Sequence, residues 1–135
     1  MSSEILAIEK FYDRYLDTFH GGNAKALVAF YHTPCLFVTG DGVTCLSDEK
    51  QVQRSFEQVI QGLKLKDYEH STVSDVQIRI LGEKTAVFSG LVVRYNRDGG
   101  ELERLGATYT LQRVNATWKF ITLVAHAPET LLRFG

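Results

Sequence analysis

The stretch TAVFSGLVVRY (Thr85–Tyr95), with LERLGATYTLQR (Leu102–Arg113) and WKFITLVAH (Trp118–His126) after it, decides the fold. Each run is rich in β-branched and aromatic residues and is bounded by turn chemistry: Leu81-Gly82-Glu83, Asp98-Gly99-Gly100 and Val114-Asn115-Ala116-Thr117. The runs are longer than the usual strand of ~5–6 residues, so a twisted antiparallel meander is expected. Strict alternation puts Trp118, Phe120, Thr122, Val124 and His126 on one face of the last run, and Lys119, Ile121, Leu123 and Ala125 on the other. In the first run Phe88, Gly90 and Val92 oppose Val87, Leu91 and Val93. Both faces are largely apolar, where a half-wet sheet would alternate with polar residues. Helices cover one face, and too little chain remains to cover the other. A homodimer across the outer sheet face is therefore expected.

Working back towards the N-terminus, Ser3–His20 repeats apolar residues at helical spacing: Ile5, Ile8, Tyr12, Tyr15, Leu16 and Phe19. Gly21-Gly22 ends that helix. Asn23 caps a second helix expected over Ala24–Tyr31, and Pro34 stops it. Cys35–Thr39 and Val43–Leu46 form a hairpin about Gly40-Asp41-Gly42. Ser47-Asp48-Glu49 starts a third helix reaching about Leu63, with Val52, Phe56, Val59 and Leu63 as its buried stripe. Lys64–Lys66 reads as a connector. Ser74–Leu81 alternates cleanly, with Val76, Ile78 and Ile80 inward. The tail is Pro128–Gly135.

The chain has 135 residues, 44% of them hydrophobic, and a formal net charge of −1, which suits one domain over 1–135. Basic residues are scattered, so the electrostatic footprint of a nucleic-acid binder is missing. No apolar run approaches the ~20 residues of a membrane span. The acidic, amphipathic MSSEILAIEKFYDRY start is unlike a signal peptide, so a cytoplasmic location and reduced Cys35 and Cys45 are expected. The four histidines lack paired spacing, so neither a metal site nor a cofactor is expected. The order of elements defines an α+β domain: three helices from the N-terminal half packed on the concave face of a curved antiparallel sheet. The open end of such a cone is a pocket suited to a hydrophobic small molecule.

The long first helix, GGNAKALVAFY, the turn at Pro34, the helix after Ser47 and WKFITLVAH together resemble the nuclear transport factor 2-like superfamily. Its cone-shaped, cystatin-like fold includes ketosteroid isomerases and the SnoaL-like polyketide cyclases and dehydratases. The resemblance spans nearly the whole chain and implies a dimer through the outer sheet face. It aligns Tyr15 with the isomerase tyrosine, Thr39 with the carboxylate base and Tyr109 with the late-strand acid, so the isomerase set is not reproduced.

The candidate catalytic residues are thus Tyr15 as a donor, and His126 or Asp41 as the group that moves a proton. Tyr12, Tyr31, Phe88, Arg94, Tyr109, Trp118 and Phe120 are expected to bind ligand, with Arg94 suited to an acidic one. Each has a plain structural reading too: core tyrosines, a hairpin Asp41, a satisfied His126 and a solvated Arg94. Function divides accordingly. One reading is a cofactor-free isomerase, dehydratase or cyclase; the other is a non-catalytic ligand-binding or dimeric interaction module.

Overall fold

The computed structural model describes residues 2–134; Met1 and the last residue of the tail, Gly135, lie outside it. Three helices, α1 (Ser3–His20), α2 (Ala24–Leu27) and α3 (Glu49–Lys64), accompany six strands. These are β1 (Tyr31–Thr39), β2 (Gly42–Leu46), β3 (Tyr68–Ile80), β4 (Thr85–Asn96), β5 (Glu101–Val114) and β6 (Thr117–His126). The sheet order is β2-β1-β6-β5-β4-β3. All neighbours are antiparallel except β1 and β6, which run parallel. The sheet is therefore mixed rather than wholly antiparallel.

Local chemistry starts each helix. Ser2 Oγ accepts from the Ile5 amide, Asn23 Oδ1 from Ala26 and Asp48 Oδ1 from Gln51, each satisfying a donor that the helix leaves unpaired. The Gln51 side chain returns a bond by accepting from the Ser47 amide. The second helix is shorter than expected. After Leu27 it tightens into a 3-10 turn over Val28–Phe30, and Tyr31 already belongs to β1. Pro34 therefore sits within a strand and does not end a helix. β3 likewise begins at Tyr68, well before the Ser74 expected. On α3 the buried residues are Val52, Phe56, Ile60 and Leu63, with Ile60 in the place expected for Val59.

α1 lies in the hollow of the sheet and buries Ile8, Phe11, Tyr12, Tyr15 and Phe19. Phe120, with no exposed surface, is the centre of this packing. Its ring centroid lies 4.9 Å from Phe11, 4.8 Å from Tyr15, 5.2 Å from Tyr31 and 4.4 Å from Tyr109. Sheet curvature needs room on the concave side, and Gly90 supplies it: a Cβ there would fall 2.9 Å from Val73 Cγ2.

One irregularity changes the faces of β6. Leu111 pairs with Phe120 and Thr110 with Thr122, which leaves Ile121 as an extra residue. A bulge of this kind shifts the alternation by one position. Trp118 and Phe120 point into the core, but beyond Ile121 the inward residues are Leu123 and Ala125, beside Tyr109 and Ala107. Thr122, Val124 and His126 accordingly turn outward, correcting the single face expected for Trp118 through His126.

The tail covers part of the outer face, which the sequence reading left bare. The Leu132 amide donates to Ser89 Oγ at 3.3 Å, Arg133 pairs with Asp75 at 2.9 Å, and the Arg79 guanidinium lies 5.8 Å from the Phe134 ring centroid. The uncovered strip runs along β5, β6 and β1, through Thr110, Thr122, Val124, Leu36 and Val38. No helix among the described residues is long and apolar enough to cross a membrane.

Candidate functional site

The open end of the sheet holds a cavity of about 580 Å³. Its walls come from α1 (Tyr12, Tyr15, Leu16, Phe19), β1 (Phe37, Thr39), α3 (Phe56, Val59), β4 (Val92, Arg94), β5 (Glu103, Leu105, Ala107, Tyr109) and β6 (Leu123, Ala125). Most of these side chains are hydrocarbon. The helical repeat of α1 places Tyr12, Tyr15 and Phe19 on one face, and that face is the one turned to the sheet.

Against this apolar wall stand tyrosine hydroxyls in two pairs. Tyr12 and Tyr109 Oη atoms are 3.3 Å apart; those of Tyr15 and Tyr31 are 2.8 Å apart. Burial, first of all, raises the pKa of Tyr12, Tyr15 and Tyr31 well above the ordinary phenol value of 10.0. At neutral pH these are phenols. Tyr109 is raised by burial too, but the neighbouring Tyr12 and Tyr15 hydroxyls and the charge of Arg94 oppose the rise. Each phenol has one proton and can accept as well. A pair spends one proton on its own bond and keeps the other for a third partner. Whichever hydroxyl of the Tyr12–Tyr109 pair accepts from the other is the more polarised donor.

At the mouth, Arg94 and Glu103 face each other across β4 and β5, with Nη1 donating to Oε1 at 2.6 Å. The guanidinium also lies over Phe19, 5.5 Å from the ring centroid. Ser71, behind them, is buried; its hydroxyl meets Tyr68 Oη at 2.6 Å, and its backbone meets His20 Nε2.

The residues expected at the site separate into three groups. Tyr12, Tyr15, Arg94 and Tyr109 line the cavity. Tyr31, Phe88, Trp118 and Phe120 are buried in the core behind it and do not line it. His126 and Asp41 are placed otherwise than expected. The end of β6, His126 included, borders the opening, but the bulge at Ile121 turns the imidazole to the outer face. There Nε2 meets Thr108 Oγ1 at 2.7 Å and Nδ1 meets the Ala127 carbonyl at 3.0 Å. The ring lies over Gly106, where a Cβ would fall 2.3 Å from His126 Cε1. Asp41 is exposed in the β1–β2 turn, outside the lining, and its amide donates to Thr39 Oγ1.

Glu103 escaped the sequence reading. A signal for it existed: a hairpin closed by Asp98-Gly99-Gly100 places Arg94 opposite Glu103, and the observed register does so. No group of three or more His, Cys, Asp or Glu side chains among the described residues is placed to hold a metal ion. Cys35 is buried and Cys45 exposed, both as free thiols. Burial, then the neighbouring Cys45, pushes the Cys35 thiol up to about 11.

A curved mixed sheet wrapped on a long first helix, with an apolar hollow at its open end, defines the cone-shaped α+β class. Residues 3–128 match the family described as NTF2-like protein (DUF6841), and the chain belongs to it. A search of curated proteins finds no match. Among solved structures, Aln2 from a Streptomyces species is 16% identical with a TM-score of 0.78, covering 96% of this chain and 94% of its own. An NTF2-like protein with a cystatin-like fold from Novosphingobium aromaticivorans is 17% identical with a TM-score of 0.77, over 95% of this chain and 88% of that one. A provisionally assigned dehydratase of the NTF2-like family from Streptomyces avermitilis is 16% identical with a TM-score of 0.73, over 93% and 96%. At these identities the likeness is one of fold.

Proposed function

We propose that the cavity binds an apolar small molecule through one oxygen atom, a carbonyl or hydroxyl, seated against the Tyr12–Tyr109 hydroxyls. The observation that carries this reading is the placement of hydrogen-bonded phenols on a largely hydrocarbon wall. Apolar walls supply affinity by removing hydrocarbon from water, and a few placed donors fix orientation. The test is calorimetric titration with a neutral aryl ketone, 2-acetonaphthone, alongside native mass spectrometry of the purified protein. Saturable ketone binding, or a copurified small molecule, supports the reading. A protein that binds no ketone and carries no small molecule would sink it.

A second reading adds turnover of the cofactor-free dehydratase, isomerase or cyclase kind. It is favoured by Tyr109, a hydrogen-bonded phenol on the cavity wall that suits a developing oxyanion. Against it stands the proton-moving group. The His126 imidazole faces outward, Asp41 is remote, and Glu103, the lining carboxylate, is held by Arg94. Binding is therefore the first reading.

We also propose a homodimer through the uncovered strip of the outer face. Leu36, Val38, Val124, Thr110 and Thr122 make a row of branched side chains there, of which Leu36 is 36% exposed.

A further inference from the structure

The cavity has a second polar feature, towards the other ends of β4 and β5 from the tyrosines. Arg94 is fixed there by its strand, by the Phe19 ring beneath its guanidinium and by one hydrogen bond to Glu103. A guanidinium carries five N–H donors in a fork that matches a carboxylate. Among the described residues Glu103 alone accepts from it, and Nε is buried with no hydrogen-bond partner. Buried donors without acceptors are unfavourable. The two partners differ in their hold on the site. The Arg94 side chain is 20% exposed, the Glu103 side chain 42%, so the cation belongs to the cavity and its acceptor leans towards water.

We propose that the ligand of this cavity is an apolar carboxylic acid, bound as its carboxylate by Arg94 in exchange for Glu103. This rests on the cavity being a ligand site at all. Releasing Glu103 returns a half-exposed carboxylate to water, which costs little. The incoming carboxylate takes over the guanidinium fork while the hydrocarbon body lies against Phe19, Leu105 and Val92. Tyr12, Tyr109 and Arg94 line the same cavity, and the charge of Arg94 bears on both hydroxyls.

The exchange makes opposite demands on the two partners, which a simple strand-to-strand ion pair does not. The experiment is calorimetric titration of the full chain with 2-naphthoate and with its neutral isostere 2-naphthamide. The wild type is expected to favour the acid by about tenfold, the worth of a charge-assisted hydrogen bond. Arg94→Met is expected to remove that preference, weakening the acid about tenfold more than the amide. Glu103→Gln, which removes the competing charge, is expected to tighten acid binding several-fold relative to the amide. Urea unfolding of each variant checks that it is folded. Equal binding of acid and amide by the wild type overturns the proposal and leaves the cavity a ligand site. So does an acid preference that survives Arg94→Met, or Glu103→Gln weakening the acid. If neither probe binds, and the aryl ketone does not bind either, both readings fall.

Discussion

Tyr109→Phe removes one oxygen atom from the cavity wall and nothing else of size. The ring keeps its packing, with its centroid 4.4 Å from Phe120 and 5.7 Å from Phe88. The lost bond to Tyr12 is a long one, 3.3 Å. Its loss is expected to lower stability by about 1 kcal/mol or less, since a net hydrogen bond is worth ~0.5–1.5 kcal/mol. The effect on ligand binding is larger, because the donor that remains, Tyr12 on α1, has lost the Tyr109 oxygen that orients and polarises it. A neutral hydrogen bond of ~1–1.5 kcal/mol corresponds to a loss of about five- to tenfold in affinity. Titration with 2-acetonaphthone measures that loss, and urea unfolding measures the stability term separately. Tyr31→Phe is the internal comparison: its hydroxyl is bonded to Tyr15 and the residue does not line the cavity, so ketone binding should change less than about twofold. Equal ketone affinity in wild type and Tyr109→Phe, with both folded, would refute the role given to this phenol.

Phe120→Ala should cost ~3–5 kcal/mol in urea unfolding, because a fully buried ring is deleted from among five other aromatic rings; a loss below ~1.5 kcal/mol would mean the core is arranged otherwise. The β6 bulge predicts opposite results for neighbours. Leu123→Glu puts a charge in the cavity and should abolish ketone binding, whereas Val124→Glu should leave binding intact and separate the proposed dimer in sedimentation. If the two effects were reversed, Ile121 would not be the extra residue. Stability should also fall in alkali. The buried tyrosines have folded pKa values raised above 10.0, so the folded state keeps protons that the unfolded chain loses. Their stabilisation is complete below pH ~10 and is lost as pH rises from the unfolded value towards the folded one, by up to ~1.4 kcal/mol per pH unit per tyrosine. Urea midpoints between about pH 8 and pH 11 measure it, and a flat profile would contradict the buried phenols.

The meander was legible because β-branched runs between turn residues have few other ways to fold, and the helices because their apolar spacing and caps are local signals. The two-residue alternation of β6 was misleading for a physical reason. A bulge depends on pairing with β5, and nothing in WKFITLVAH alone marks Ile121 as the extra residue. That single shift moved Leu123 and Ala125 into the cavity and turned the His126 imidazole, at its rim, to the outer face. The start of β3 was hidden because Tyr68–Ser74 is polar on its outer side and reads like a connector. Of the cavity, α1 gave Tyr12 and Tyr15 through helical spacing, while Phe37 and Glu103 come from strand register. The tail over Ser89 has no periodicity, and only the folded sheet shows where it goes.

A crystal structure of the protein soaked with 2-acetonaphthone tests the account most directly. The ketone is expected to lie in the hollow between α1 and the sheet, its oxygen within ~3 Å of the Tyr109 hydroxyl. A cavity that stays without the ketone at saturating concentration, or a ketone seated with its oxygen turned away from the tyrosines, would contradict it.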